Sequence, residues 1–177
     1  MEVNMPASPV KDLGPCAVIW DPSGDNIELN PTFGGVIFRS EDAIVDILED
    51  GRGTTPIDAV FTGRVASLEV PLTRTTLTKL EKILPGSVKG ATNLKVSTHV
   101  GGAMYTSAKE VIVKPVVDNV PSVTTTEWLH IHKAYPVPGF EVAYDNSGQR
   151  VFKVTFKVFP SDESGQVGEL WRIGPAS

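Results

Sequence analysis

The chain is poor in the residues that most chemistry needs. Among 177 residues there is one cysteine and there are three histidines, and aromatics make up 7%. A single cysteine, Cys16, forms no internal disulfide, so the fold does not depend on an oxidising compartment and a reducing cytoplasm is the expected setting. Its place in the apolar run Cys16-Ala17-Val18-Ile19-Trp20 reads as a buried, inert thiol. No apolar run approaches the ~20 residues that span a bilayer, and the first residues lack a charged segment followed by an apolar one. The expectation is a soluble chain without an ordinary export signal. With 16 basic against 21 acidic residues the formal charge is −5, and the lysines and arginines form no run and no platform interleaved with aromatics. Tight binding to nucleic acid through phosphate neutralisation is therefore not expected.

Catalytic patterns are missing as well. There is no G-x-S-x-G elbow, and Gly51-Arg52-Gly53 and Gly101-Gly102 lack both the strand-to-helix context and the GK[ST] ending of a phosphate loop. The acids Glu41, Asp42, Asp46, Glu49 and Asp50 lack the D-x-D-x-D-G order of a calcium loop and read as a solvated acidic face. His130 and His132 stand at strand spacing, so both imidazoles share one face, as two metal ligands would. A zinc site needs further ligands, and only His99 and a distant Cys16 remain, so two surface or interface histidines beside Trp128 are the expectation. No cofactor, metal site or enzyme activity is expected.

What is present is alternation. Over residues 65–72, Ala66, Leu68, Val70 and Leu72 fall on one side and Ser67 and Glu69 on the other, the pattern of a half-buried strand. The period then changes. Leu77, Leu80, Ile83 and Leu84 are spaced as the apolar stripe of a short helix over 75–84, which should clamp it to a sheet. Thr73 and Thr75 are candidate N-caps and Pro85-Gly86 supplies the stop. Lys79, Glu81 and Lys82 are left for solvent or a neighbouring subunit.

The rest of the chain reads as short strands. Residues 1–12 form an extended N-terminal arm, and 13–177 a single β domain. Strands are expected at 14–20, 32–40, 94–98, 104–117, 124–133, 140–144 and 150–159, with a closing strand inside 165–173 anchored by Trp171. Gly34-Gly35 suggests a bulge or a close backbone approach, and residues 145–148 a hairpin turn. Residues 41–50 fit a short helix or a strand, and their β-branched content favours strand, which makes 41–56 a long hairpin with a charged, glycine-containing tip. Residues 86–93 read as polar loop, Pro115 marks an edge strand or a bulge, and 135–139 a stiff connector. Phe152, Val154, Phe156 and Val158 alternate with Lys153, Thr155 and Lys157. The expected fold is mainly β: an antiparallel sandwich or partly closed barrel of eight to ten strands with one flanking helix.

The order of several motifs resembles the major tail tube protein of long-tailed, non-contractile bacteriophages. They are Gly14-Pro15-Cys16, Gly34-Gly35-Val36, the run Thr55-Pro56-Ile57-Asp58 to Thr62-Gly63, and Leu68-Glu69-Val70-Pro71-Leu72 leading to Thr76-Leu77-Thr78-Lys79-Leu80. Later come Lys133-Ala134-Tyr135-Pro136-Val137-Pro138, Val142-Ala143-Tyr144 and the run from Arg150 to Lys157. The resemblance spans most of residues 13–174 and is weakest over 89–117. It implies a virion subunit forming hexameric rings that stack into a tube through which DNA is delivered, made in the host cytoplasm. Its implied partners are further copies of itself, a tape-measure protein, and tail tip and terminator proteins, with DNA passing unbound and no membrane contact. In that light Asp42, Asp46, Glu49, Asp50 and Arg52 are candidates for the lumen wall or ring stacking. A tube protein of a type VI secretion-like system, or a monomeric barrel binding a small ligand near His130 and His132, are the alternatives.

Overall fold

The computed structural model describes residues 15–29, 35–73, 75–84, 86–97, 101–118, 120–137 and 151–175. The expected arm at 1–12, the strand at 140–144, the turn at 145–148, and Gly34, Pro85 and His99 lie outside the described residues.

Within them the chain is mainly β. Strands are β1 (Cys16–Trp20), β2 (Ile27–Leu29), β3 (Ile37–Ile47), β4 (Asp58–Leu72), β5 (Ser87–Lys89), β6 (Leu94–Val96), β7 (Lys109–Val117), β8 (Val120–Pro121), β9 (Leu129–Val137), β10 (Phe152–Phe159) and β11 (Trp171–Ile173). One α-helix, α1 (Leu77–Ile83), joins β4 to β5. The main sheet runs β2-β1-β7-β9-β10-β4-β3, with β11 added to β9 and β8 to β7, while β5 and β6 form their own ribbon. Every pairing is antiparallel.

The alternation seen in the sequence decides which face is buried. Leu68 stands opposite Phe156 and Val70 opposite Val154, and all four are in the core. The sheet then curls around them. Trp20 on β1 lies 6.2 Å from the Phe156 ring on β10, although β7 and β9 intervene; three flat interstrand steps would separate them by about 14 Å. The Val36 N–H, just before β3, reaches the Cys16 sulfur of β1, so the approach to one edge strand meets the strand next to the other edge. Burial raises the Cys16 thiol pKa despite that hydrogen bond, which favours the inert thiol. The architecture is a partly closed barrel with Val18, Leu29, Leu68, Leu72, Val111, Ile131 and Phe156 inside.

The helix is shorter than expected and sits differently. Its N-cap is Thr76, whose hydroxyl accepts the Lys79 N–H at 3.2 Å, rather than Thr73 or Thr75. Ile83 and Leu84 are buried, Leu80 is half-buried, and Leu77 is 37% exposed, so the clamp lies at the C-terminal end. The polar face is not free. Lys79 Nζ donates to the Glu28 carbonyl at 2.6 Å, Lys82 Nζ meets Asp25 at 2.8 Å, and Glu81 accepts the Lys89 N–H at 3.0 Å. These bonds tie α1 to β2, the turn before it, and β5.

Four other expectations change. Residues 86–93, read as loop, include β5, because pairing with β6 gives its backbone partners. The strand expected over 104–117 starts only at Lys109, after a 3₁₀ turn Tyr105–Ser107. Pro115 lies in an interior strand rather than an edge: Val116 N–H points to Pro15 of the β1 side, so the missing Pro115 donor faces the other side, past the last β9 partner Leu129. The strand expected over 124–133 begins at Leu129 and runs through the supposed connector, with Pro136 buried opposite Phe156.

Ile83, at 2% exposure, is the one residue of α1 in the core cluster. Ile83→Ala should lower stability by about 2–5 kcal/mol in urea unfolding, while Leu77→Ala should stay within about 0.5 kcal/mol. Equal losses would show that the whole apolar stripe docks the helix.

Candidate assembly surface

β3 and β4 pair along their whole length, but only their proximal halves belong to the barrel. Every described position from 41 to 50, and from 53 to 62, is exposed. The two strands leave the body as a two-stranded ribbon: residues 41–47 continue the strand that begins at Ile37 instead of forming one of their own, and their partner is β4, so the hairpin extends beyond the expected 41–56.

A bulge marks the departure. Ala43 pairs with Gly63 and Ile44 with Phe61, leaving Thr62 as the extra residue on β4. Its hydroxyl donates to the Ala43 carbonyl at 3.0 Å, supplying a partner where the ladder is interrupted. The bulge shifts the alternation of β4 by one. Ile44, Phe61, Asp46 and Ala59 therefore continue the face that is the core side nearer the barrel, and Val45, Val60, Ile47 and Asp58 the convex side. At the tip a 3₁₀ turn, Asp50–Arg52, ends on Gly53 at φ 63° and ψ −128°, a conformation open to glycine alone.

Both faces of this ribbon are apolar and both meet solvent. Ile44 is 64% and Phe61 57% exposed on one side, Val45 57% and Val65 63% on the other. Ile47, Leu48, Ile57 and Val60 extend the patch towards the tip. A two-stranded hairpin is marginal alone in water, and contiguous exposed apolar surface marks an interaction site.

The root is held firmly. Trp171 packs edge-on against Phe38 at 5.3 Å and its indole N–H donates to Ser40 Oγ at 3.2 Å. Arg64 grips Asp42 through two contacts of 2.5 and 3.1 Å and lies 6.0 Å over the Phe61 ring. The guanidinium holds the Asp42 carboxyl below its usual range, and the carboxylate raises Arg64. Between root and body a cleft of about 640 Å³ is lined by Phe61, Arg64, Pro160, Leu170 and Trp171. On the convex side Glu69 joins Lys153 at 2.7 Å and Arg39 at 3.4 Å, and the Lys153 hydrogen bond is the main cause of its lowered pKa.

The expected site residues divide accordingly. Asp42 is engaged by Arg64 at the root; Asp46 is exposed beside Ile44 and Phe61; Glu49 and Asp50 approach the tip, and Arg52 closes the 3₁₀ turn. The sequence reading missed Ile44, Val45, Val60, Phe61 and Val65 as functional positions. The signal was there: residues 41–50 carry apolar side chains on both faces without a run of core neighbours.

His130 and His132 do share a face, but each has its own carboxylate. His130 Nδ1 lies 3.0 Å from Glu110 and His132 Nε2 3.1 Å from Glu169. Opposite Glu110 a bulge in β9 turns both His132 and Lys133 away from the core; Lys133 meets Asp162, and His132 is buried against Glu169 and Leu170 rather than lying at the surface. Trp128 flanks His130 at 6.1 Å, as expected. Among the described residues no three of His, Cys, Asp and Glu gather as a metal site would require, and no helix is long and apolar enough to cross a membrane.

Asp42, Glu69 and Asp162 all have lowered pKa values, caused chiefly by hydrogen bonds from Arg64, Lys153 and Lys133. Their contribution to stability is complete above the ordinary carboxylate value near ~4 and is lost as pH falls through the lower folded value. Thermal melts from pH 6 to 3 should show a decline that is shallower in Glu69→Gln; equal slopes would mean the pair adds nothing, as many exposed pairs do.

Comparison with known proteins finds no family model that matches the chain and no matching curated protein.

Proposed function

We propose that the chain is a structural subunit that assembles with copies of itself into hexameric rings stacked as a tube, the major tail tube protein of a long-tailed, non-contractile phage, with DNA passing through the lumen. The observation that carries the reading is the ribbon: a long edge hairpin, apolar on both faces, held rigidly at its root and exposed in the single subunit. The motif order from Gly14 to Lys157 supplies the identity of the assembly, and the curled antiparallel sheet with one helix fits it. Open strand edges, a hazard for a monomer, are an assembly device when a symmetric neighbour covers them. On this reading Asp42 neutralises Arg64 within the subunit, and Asp46, Glu49 and Asp50 are the acids that stand nearest the lumen or the next ring. Those of them that face the lumen, and not the next copy, would repel a duplex bearing one charge per ~1.7 Å and keep it sliding.

Size-exclusion chromatography and negative-stain microscopy of the concentrated protein should reveal rings or tubes. Ile44→Asp with Phe61→Asp should abolish them while the circular dichroism spectrum stays unchanged, since neither side chain is in the core. A compact 19 kDa species carrying a stoichiometric small ligand would overturn the proposal in favour of a binding barrel.

A further inference from the structure

The ribbon is acidic as well as apolar. Residues 46–58 contain Asp46, Glu49, Asp50 and Asp58 against Arg52 alone, four acids to one base. The convex face of the barrel has the opposite balance. Across β9, β10, β4 and β3 one row reads Tyr135, Lys157, Ser67, Arg39, and the next reads Val137, Thr155, Glu69, Ile37, with Lys153 beyond. Three cations thus surround one acid, and Glu69 already engages two of them. Arg39 and Lys157 stand two strands apart, about 10 Å, and Lys157 lies 5.8 Å over the Phe159 ring. Exposed Ile37 and half-buried Tyr135 and Val137 place apolar surface between the charges.

We infer that the acidic, apolar ribbon of one copy docks on the basic convex face of β3, β4 and β10 of a second copy. The inference rests on the proposed self-assembly and names its contact. A copy cannot satisfy this contact by itself. Ribbon and face are successive parts of the same strands, and Asp58 and Glu69 on β4 are separated by about 36 Å of extended chain, so the ribbon points away from its own basic face. Because the two surfaces differ, the contact is head-to-tail, the type that closes into a ring or runs on as a helix. Opposite charge sets register and speeds encounter, and the apolar side chains of both surfaces are buried on docking.

A charge swap tests this. The ribbon pair Asp46→Lys and Asp58→Lys, and separately the face pair Lys153→Glu and Lys157→Glu, should each weaken self-association by about tenfold or more in sedimentation at low salt. All four substitutions in one chain should restore it to within about threefold of wild type, because each reversed ribbon then meets a reversed face. Circular dichroism on each variant confirms that the fold is retained. Pairs that associate like wild type, or a fourfold variant that stays as weak as the pairs, would overturn the inference while leaving tube assembly standing. A wild-type chain that remains monomeric throughout would overturn both.

Discussion

Trp20 and Phe156 touch inside the barrel although two strands separate theirs, and that contact exists because a single antiparallel sheet bends around its own apolar face. The bend gathers side chains from six strands and α1 into one core. It also divides labour between the faces: the inner carries Leu68, Val70, Val154 and Phe156, the outer a set of ion pairs and cation-π contacts. Curling brings the ends of the sheet near each other, but among the described residues β3 is paired on one side only. Its outer row of backbone donors and acceptors is the unresolved demand of the fold.

The chain handles that edge in two ways along its length. Near the barrel, β3 reads Arg39-Ser40-Glu41-Asp42, charged and pinned to Trp171 and Arg64, which discourages indiscriminate pairing. Past the bulge the same strand reads Ala43-Ile44-Val45-Asp46-Ile47, where charge gives way to exposed β-branched residues. A sequence avoiding association would have kept the first composition throughout. The change at the point where the ribbon leaves the body distinguishes an edge being protected from an edge being offered.

Much of the fold was legible because period-two alternation is a direct image of burial: Ala66 to Leu72 and Phe152 to Val158 read correctly residue by residue. Propensity misled where tertiary partners decided. Pro115 and Pro136 look like strand breakers, yet Pro136 lies past the last β7 partner of β9, and Pro115 lies past the last β9 partner of β7, where Ser122 N–H donates to its carbonyl, so β7 and β9 pass through them. The helix stripe predicted four anchors, but Leu77 is 37% exposed: apolar packing is confined to the last turn, and the first turn is held by the polar contact of Lys79 with the Glu28 carbonyl. The ribbon was half legible. Its existence followed from β-branched content, but the bulge at Thr62, which decides which side Phe61 takes, is a matter of register that no local pattern encodes.

β4 runs as one strand of 15 residues, bulged at Thr62, from the exposed Asp58 to the buried Leu72. At about 3.3 Å per residue it is a rod of roughly 50 Å. A pull on the distal end is therefore carried lengthwise along the ladders to β3 and β10, loading many hydrogen bonds in shear at once rather than peeling them apart one by one. Whatever grips the tip is mechanically coupled to Leu68 and Phe156, and tension arriving there is borne by the barrel's centre.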